Sequence, residues 1–139
     1  MKQRVLLDTG PLVAILSERD AHHAECVEQL RTLSPPLLTC WPVLTEAAWL
    51  LRGQPRGLQS LLKGGETGVY QLLPLDETAL PWLAKFLSRY QNVGAQLADA
   101  ALVYLAEREG IDLVFTLDRR DFSIYRFGRN RSFRLLPAP

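Results

Sequence analysis

The stretch VLLDTGPLVAIL, Val5 to Leu16, decides how this chain is read. An apolar run with the character of a buried strand stops at a carboxylate, Asp8, and an apolar helix then follows. Gly10-Pro11 opens that helix, which runs to about Ser17, proline being suited to the first helical turn. Both flanks belong in an interior, so the aspartate between them sits where water is scarce. A lone buried carboxylate is costly unless it is paired, neutralised or bound to a cation.

The same context recurs three times. Glu46 is the only charge in PVLTEAAWLL, Asp99 the only charge in QLADAALVYLA, and Asp118 follows LVFTL. The segment around Asp99 is apolar on every side at helical period, which predicts a largely buried helix. Glu25, Glu28, Asp76, Glu77, Glu107 and Glu109 lie instead in polar stretches, where a helix surface or a cap explains them.

Outward from Asp8, helices and strands alternate. Helices are expected over residues 21–33, 42–52, 55–62, 77–89 and 96–109, and short strands at 5–7, 37–39, 70–73, 113–116 and 133–136. In the helix over 21–33, Val27, Leu30 and Leu33 share one face, and KGGETG after Leu62 reads as a loop. Strand–helix alternation predicts an α/β domain with a mostly parallel sheet between helical layers. Such sheets place their sites in the crevice beyond the carboxyl ends of the strands. Asp8 and Asp118 each follow a strand, Asp99 falls in a first helical turn where the dipole favours an anion, and Glu46 lies just over one turn into its helix.

Acids converging in one crevice repel one another: two unit charges ~4 Å apart cost about 4 kcal/mol at an effective dielectric of roughly 20. A divalent cation removes that penalty. Carboxylate-only ligation, with no histidine or cysteine nearby in sequence, points to Mg²⁺ or Mn²⁺ rather than zinc. Metal ions clustered by carboxylates, one or two of them, suit phosphodiester hydrolysis by a metal-activated water. Thr9 and Thr116 set hydroxyls beside the acids, either to hold a water or phosphate oxygen or as ordinary turn and strand residues. Asp121 is either an outer ligand or a cap, and Arg119 and Arg120 either hold a substrate backbone or pair with neighbouring acids.

Composition is consistent with this and excludes little. The 139 residues carry 47% hydrophobic and 22% charged side chains with a net charge of +1, and are read as one domain spanning residues 1–139. Every apolar run is interrupted well short of the ~18 residues of a membrane span, and MKQRVLLD lacks the features of a signal peptide. Cys26 and Cys40 form no CxxC motif and read as free thiols in a reducing compartment. Six arginines from Arg119 to Arg134 crowd the last quarter, either as solvated surface or as phosphate contacts.

Taken in order, DTGPLVAIL, LTEAAWLL, LADAALVYLAER and FTLDRRDF resemble the motifs of PIN-domain ribonucleases, and most of all the toxins of VapBC-type toxin–antitoxin pairs. RDAHHAECVEQL matches a further recurrent family segment, and the resemblance covers nearly the whole chain. It implies a three-layer α/β/α fold and an acidic pocket for Mg²⁺ or Mn²⁺, with Asp8, Glu46, Asp99 and Asp118 at the metal-ligand, catalytic positions. Asp121 matches an acidic position of variable spacing. The resemblance also implies a cytoplasmic endonuclease cutting structured RNA such as tRNA or rRNA, an antitoxin that blocks the pocket, and a homodimer. His22 and His23 read as residues of a helix start rather than ligands.

Two other acid-bearing folds fail on the residues. A phosphoacceptor receiver needs an aspartate near mid-chain, and none lies between Asp20 and Asp76; an aspartyl phosphatase needs a second acid two residues after Asp8, where Gly10 stands. A catalytically silent PIN-like module binding RNA or protein, and a metal-dependent DNA nuclease, remain as alternatives.

Overall fold

A computed structural model describes residues 3–139. Five strands, β1 (Leu6–Leu7), β2 (Leu37–Thr39), β3 (Tyr70–Leu72), β4 (Leu113–Phe115) and β5 (Arg134–Leu136), form one sheet in the order β3-β2-β1-β4-β5. All pairings are parallel, with Leu6 opposite both Leu38 and Val114. The central three strands are buried throughout, as their unbroken apolar runs require.

The chain moves from β1 through β2 to β3 in one direction, then returns to β4 and β5 on the other side of β1. Right-handed crossovers therefore put the two groups of connecting helices on opposite faces, giving the three-layer α/β/α arrangement. One group is α1 (Thr9–Leu16), α2 (His23–Arg31), α3 (Trp41–Leu50) and α4 (Pro55–Glu66), with α1 packed on the other three. The other is α5 (Leu80–Arg89), α6 (Leu97–Glu109) and α7 (Arg119–Ile124), with α5 packed on α6. The reversal in strand order lies between β1 and β4, and a crevice opens there at the carboxyl ends.

α6 is buried around most of its circumference by Ala98, Ala100, Ala101, Leu102, Val103, Leu105 and Ala106, as its all-round apolar pattern predicts. Gly110 ends it with a left-handed backbone, φ 68°.

The structure departs from the sequence expectations at definite places. Lys63 to Glu66, expected in a loop, are the last turn of α4. The glycines there serve packing: a Cβ on Gly64 would lie 2.9 Å from the Tyr70 ring. The LDRRD segment, for which no helix is expected, starts the short helix α7. The helix expected over 21–33 begins at His23, and its buried residue is Cys26, with Val27, Leu30 and Leu33 only half-buried. The helix expected over 77–89 begins with a 3₁₀ turn, Glu77–Ala79, capped by Asp76. Both cysteines are buried and free. No helix among the described residues is long and apolar enough to cross a membrane.

Candidate active site

Asp8, Glu46, Asp99, Asp118 and Asp121 line one open cavity of about 480 Å³ at the carboxyl end of the sheet, together with Thr9 and Gln96. Four elements contribute. β1 delivers Asp8, which becomes the N-cap of α1; α3 carries Glu46; α6 carries Asp99 in its first turn; and Asp118, after β4, is the N-cap of α7. Three helix N-termini thus meet at the acids, each stabilising negative charge there.

The acids are held individually. Asp8, 6% exposed, accepts the Thr9 amide at 2.8 Å on Oδ1 and the Thr116 hydroxyl at 2.7 Å on Oδ2. The Thr116 hydroxyl in turn accepts the Asp118 amide at 2.9 Å, tying the ends of β1 and β4 together. Asp99 accepts the Tyr125 hydroxyl at 3.0 Å and the Gln96 amide at 3.4 Å, both on Oδ2. Asp118 accepts the Asp121 amide at 3.3 Å.

Burial pushes the Asp8 carboxyl up to about 7, with Asp99 and Glu46 adding to the rise against the hydrogen bonds from Thr116 and Thr9. Asp99 is raised as well, first by burial and then by the charges of Asp118 and Glu46. Asp121 is raised by burial and by Asp118 beside it. Desolvation and the neighbouring Asp99 push the Tyr125 phenol far above its usual range, so it stays a donor. Asp118 itself is exposed at the N-cap of α7, contrary to the poor solvation expected of it.

The donor set fits a hard divalent cation. Among the described residues no Lys, Arg or His forms an ion pair with any of these acids. Thr9, 2% exposed, has a hydroxyl oxygen without a hydrogen-bond partner, an orphan at the edge of an acidic cavity. No three or more His, Cys, Asp and Glu side chains among the described residues are already gathered as a metal-binding group. Mutual repulsion opposes closer approach of these carboxylates.

Arg119 and Arg120 do not line this cavity. Arg119 donates to the Pro137 carbonyl and so braces the end of the chain against α7, while the charge of Arg120 acts on Asp121. His22 is the N-cap residue of α2 without a side-chain cap bond, its ring 3.4 Å from a Glu25 oxygen, and His23 bonds the Ala14 carbonyl at 2.7 Å. Tyr125 escapes a reading of the sequence: it is fully buried among Phe86, Tyr90 and Phe122, and only the fold brings it to Asp99.

Residues 5–128 match the family described as the PIN domain. This chain belongs to the PIN-domain family. Ribonuclease VapC26 of Mycobacterium tuberculosis is 27% identical over 135 residues, which are 96% of this chain and 100% of that protein. The crystal structure of VapC20 from the same organism, described as a sarcin-ricin-loop-cleaving toxin, superposes with a TM-score of 0.76. It covers 84% of this chain and 91% of its own at 19% identity, which speaks for the fold. The PIN-like α/β/α architecture expected from the motifs is thereby established.

Proposed function

We propose that this PIN-domain chain, one nuclease domain over residues 1–139, is a divalent-metal-dependent endoribonuclease and the toxin of a type II toxin–antitoxin pair. The observation that carries this reading is the cavity where Asp8, Glu46, Asp99 and Asp118 meet without a compensating cationic side chain. Full-length similarity to a protein named as a ribonuclease supports RNA as the substrate, and the VapC name supports a cognate antitoxin. Structured RNA such as tRNA or rRNA, Mg²⁺ or Mn²⁺ as the ion, a cytoplasmic setting and a homodimer belong to the same reading.

Asp8, Glu46, Asp99 and Asp118 hold the ion, with Asp121 as an outer group. When bound there, the ion supplies an activated water and offsets charge on the phosphate. The protein's part is positioning. Thr116 and the Thr9 amide fix both oxygens of Asp8, and Tyr125 and the Gln96 amide fix one oxygen of Asp99, leaving its Oδ1 for the cavity. The orphaned Thr9 hydroxyl takes a water or a phosphate oxygen.

Purified protein free of antitoxin, incubated with total RNA, should yield discrete fragments with Mg²⁺ or Mn²⁺ and none in EDTA. Metal-independent fragments, or none under any condition, would count against this reading.

A further inference from the structure

A second concave site lies outside the acidic cavity. It is a groove of about 280 Å³ between α5 and the segment after α7, lined by Lys85, Arg89, Arg126 and Trp82. Trp82, Lys85, Phe86 and Arg89 share one face of α5 at helical spacing. None of the three cations forms an ion pair with a carboxylate among the described residues. Glu107 also lines the groove, but its oxygens are taken by the Trp82 indole N–H at 2.9 Å and the Gly128 amide at 2.7 Å. Counting that carboxylate, the lining keeps a surplus of two positive charges.

The groove is preformed. Arg126 spends one nitrogen, Nη1, on the carbonyls of Ser123, Ile124 and Tyr125, which fixes the guanidinium and leaves Nε and Nη2 free of those contacts. Its amide donates to the Tyr90 hydroxyl at 3.0 Å, and Arg89 lies over the Tyr90 ring at 5.1 Å. Trp82 is stacked on Phe86 and anchored by Glu107, so its ring is held in place.

Its position relative to the acids follows from α6. Tyr125 touches Asp99 near the start of that helix, and Gly128 touches Glu107 near its end. Asp99 and Glu107 stand eight residues apart on α6, about 12 Å at 1.5 Å per residue, and the side chain of Tyr125 and the amide of Gly128 reach these two points. The basic groove follows the same line, and the Tyr125 ring, 5.1 Å from Phe86, stands between it and Asp99.

We infer that the groove of Lys85, Arg89, Arg126 and Trp82 binds the phosphates of the RNA strand flanking the bond held in the acidic cavity. The inference rests on the ribonuclease reading. Guanidinium and ammonium groups without acidic partners are suited to phosphate oxygens, and a fixed indole offers a base a sequence-tolerant stacking partner. A strand whose reacting phosphate sits among carboxylates also needs cationic contacts elsewhere to be held at all. This groove supplies them alongside α6.

The test is binding of a labelled, unstructured RNA oligonucleotide in EDTA across a salt series, to wild type and to the double variant Lys85→Ala/Arg89→Ala. Both residues are exposed, so the fold should tolerate the change. The affinity should fall roughly tenfold or more, as for loss of charge-assisted contacts. The salt slope should drop by about 1.4, or roughly 0.7 per lost phosphate contact. In metal-supported cleavage KM should rise with kcat unchanged. Wild-type binding, slope and KM in the double variant would overturn the groove while leaving a demonstrated nuclease intact. A wild type that neither binds nor cuts RNA would overturn the ribonuclease reading and the groove with it. Poly-glutamate binding as tightly as the RNA, and weakened by the same substitutions, would assign the groove to an acidic protein segment instead.

Discussion

The hydroxyl of the buried Tyr125 donates to Oδ2 of Asp99 at 3.0 Å, joining the segment after α7 to the first turn of α6. The phenol is held in a cluster of rings, with centroids 5.1 Å from Phe86, 5.0 Å from Tyr90 and 5.1 Å from Phe122. A rigid donor thus sets the direction of a carboxylate that faces the cavity. In Tyr125→Phe the ring packing stays and the hydrogen bond goes. Stability should fall by about 1 kcal/mol. Mn²⁺ affinity measured by calorimetry should fall about tenfold or more, as when an outer-shell partner of a ligand is lost. A merely structural tyrosine would leave the metal affinity unchanged.

Asp8 predicts an unusual pH dependence for the metal-free protein. Its folded pKa of about 7 lies above the unfolded 3.8, so the native state binds more protons between those values. Stability is then fully present below about pH 4 from this group and is lost as pH rises toward 7, by about 4 kcal/mol in all. Denaturant unfolding in EDTA should give a lower stability at about pH 8 than at about pH 5. Asp8→Asn should remove that fall and be the more stable protein at the higher pH. Added Mn²⁺ should stabilise the wild type most at high pH, because protons compete for the same oxygens.

The two site threonines should separate. Thr116 gives its hydroxyl to Asp8 and accepts from the Asp118 amide, so Thr116→Val leaves a donor and an acceptor unsatisfied and should cost about 1–3 kcal/mol. Thr9 has no partner for its buried hydroxyl, so Thr9→Val should leave thermal stability unchanged or raise it, while cleavage slows. Equal destabilisation by the two substitutions would contradict this distinction.

Gly64 offers a test of packing against propensity. In a helix interior Ala is better than Gly by about 1 kcal/mol. Here a Cβ would come 2.9 Å from the Tyr70 ring, whose hydroxyl is tied to the Leu61 carbonyl at 2.6 Å and cannot swing aside freely. Gly64→Ala should therefore lower stability by about 1–3 kcal/mol in thermal unfolding.

Much of this was legible in the chain itself. The carboxylates Asp8, Glu46 and Asp99 stand out because each interrupts an apolar run, a local contrast that survives into the fold as burial or half-burial. Pro35-Pro36 and Pro42 punctuate β2, so the sequence marks its observed bounds. Lys63 to Glu66 misled because glycine pairs usually mark turns, whereas here they make room for a tyrosine from the next strand. Tyr125 is not legible in the sequence because its role comes from a contact across 26 residues, and nothing in SIYRF distinguishes it from a core aromatic. The exposure of Asp118 at the start of α7 likewise is a property of the folded surroundings, which the preceding apolar run does not encode. The basic groove needs two separate segments aligned along α6, so the arginine-rich tail shows only half of it.

The central claim is that the acids of the cavity act together on one metal site that serves RNA cleavage. The most direct measurement is a Mn²⁺ titration of purified protein by calorimetry, with wild type, Asp99→Asn and Asp118→Asn, alongside RNA cleavage by the same samples. The expected result is saturable binding to wild type, at least about tenfold weaker binding in each variant, and loss of cleavage in parallel. Undiminished Mn²⁺ binding in both variants, or cleavage that persists in Asp99→Asn and in EDTA, would contradict it.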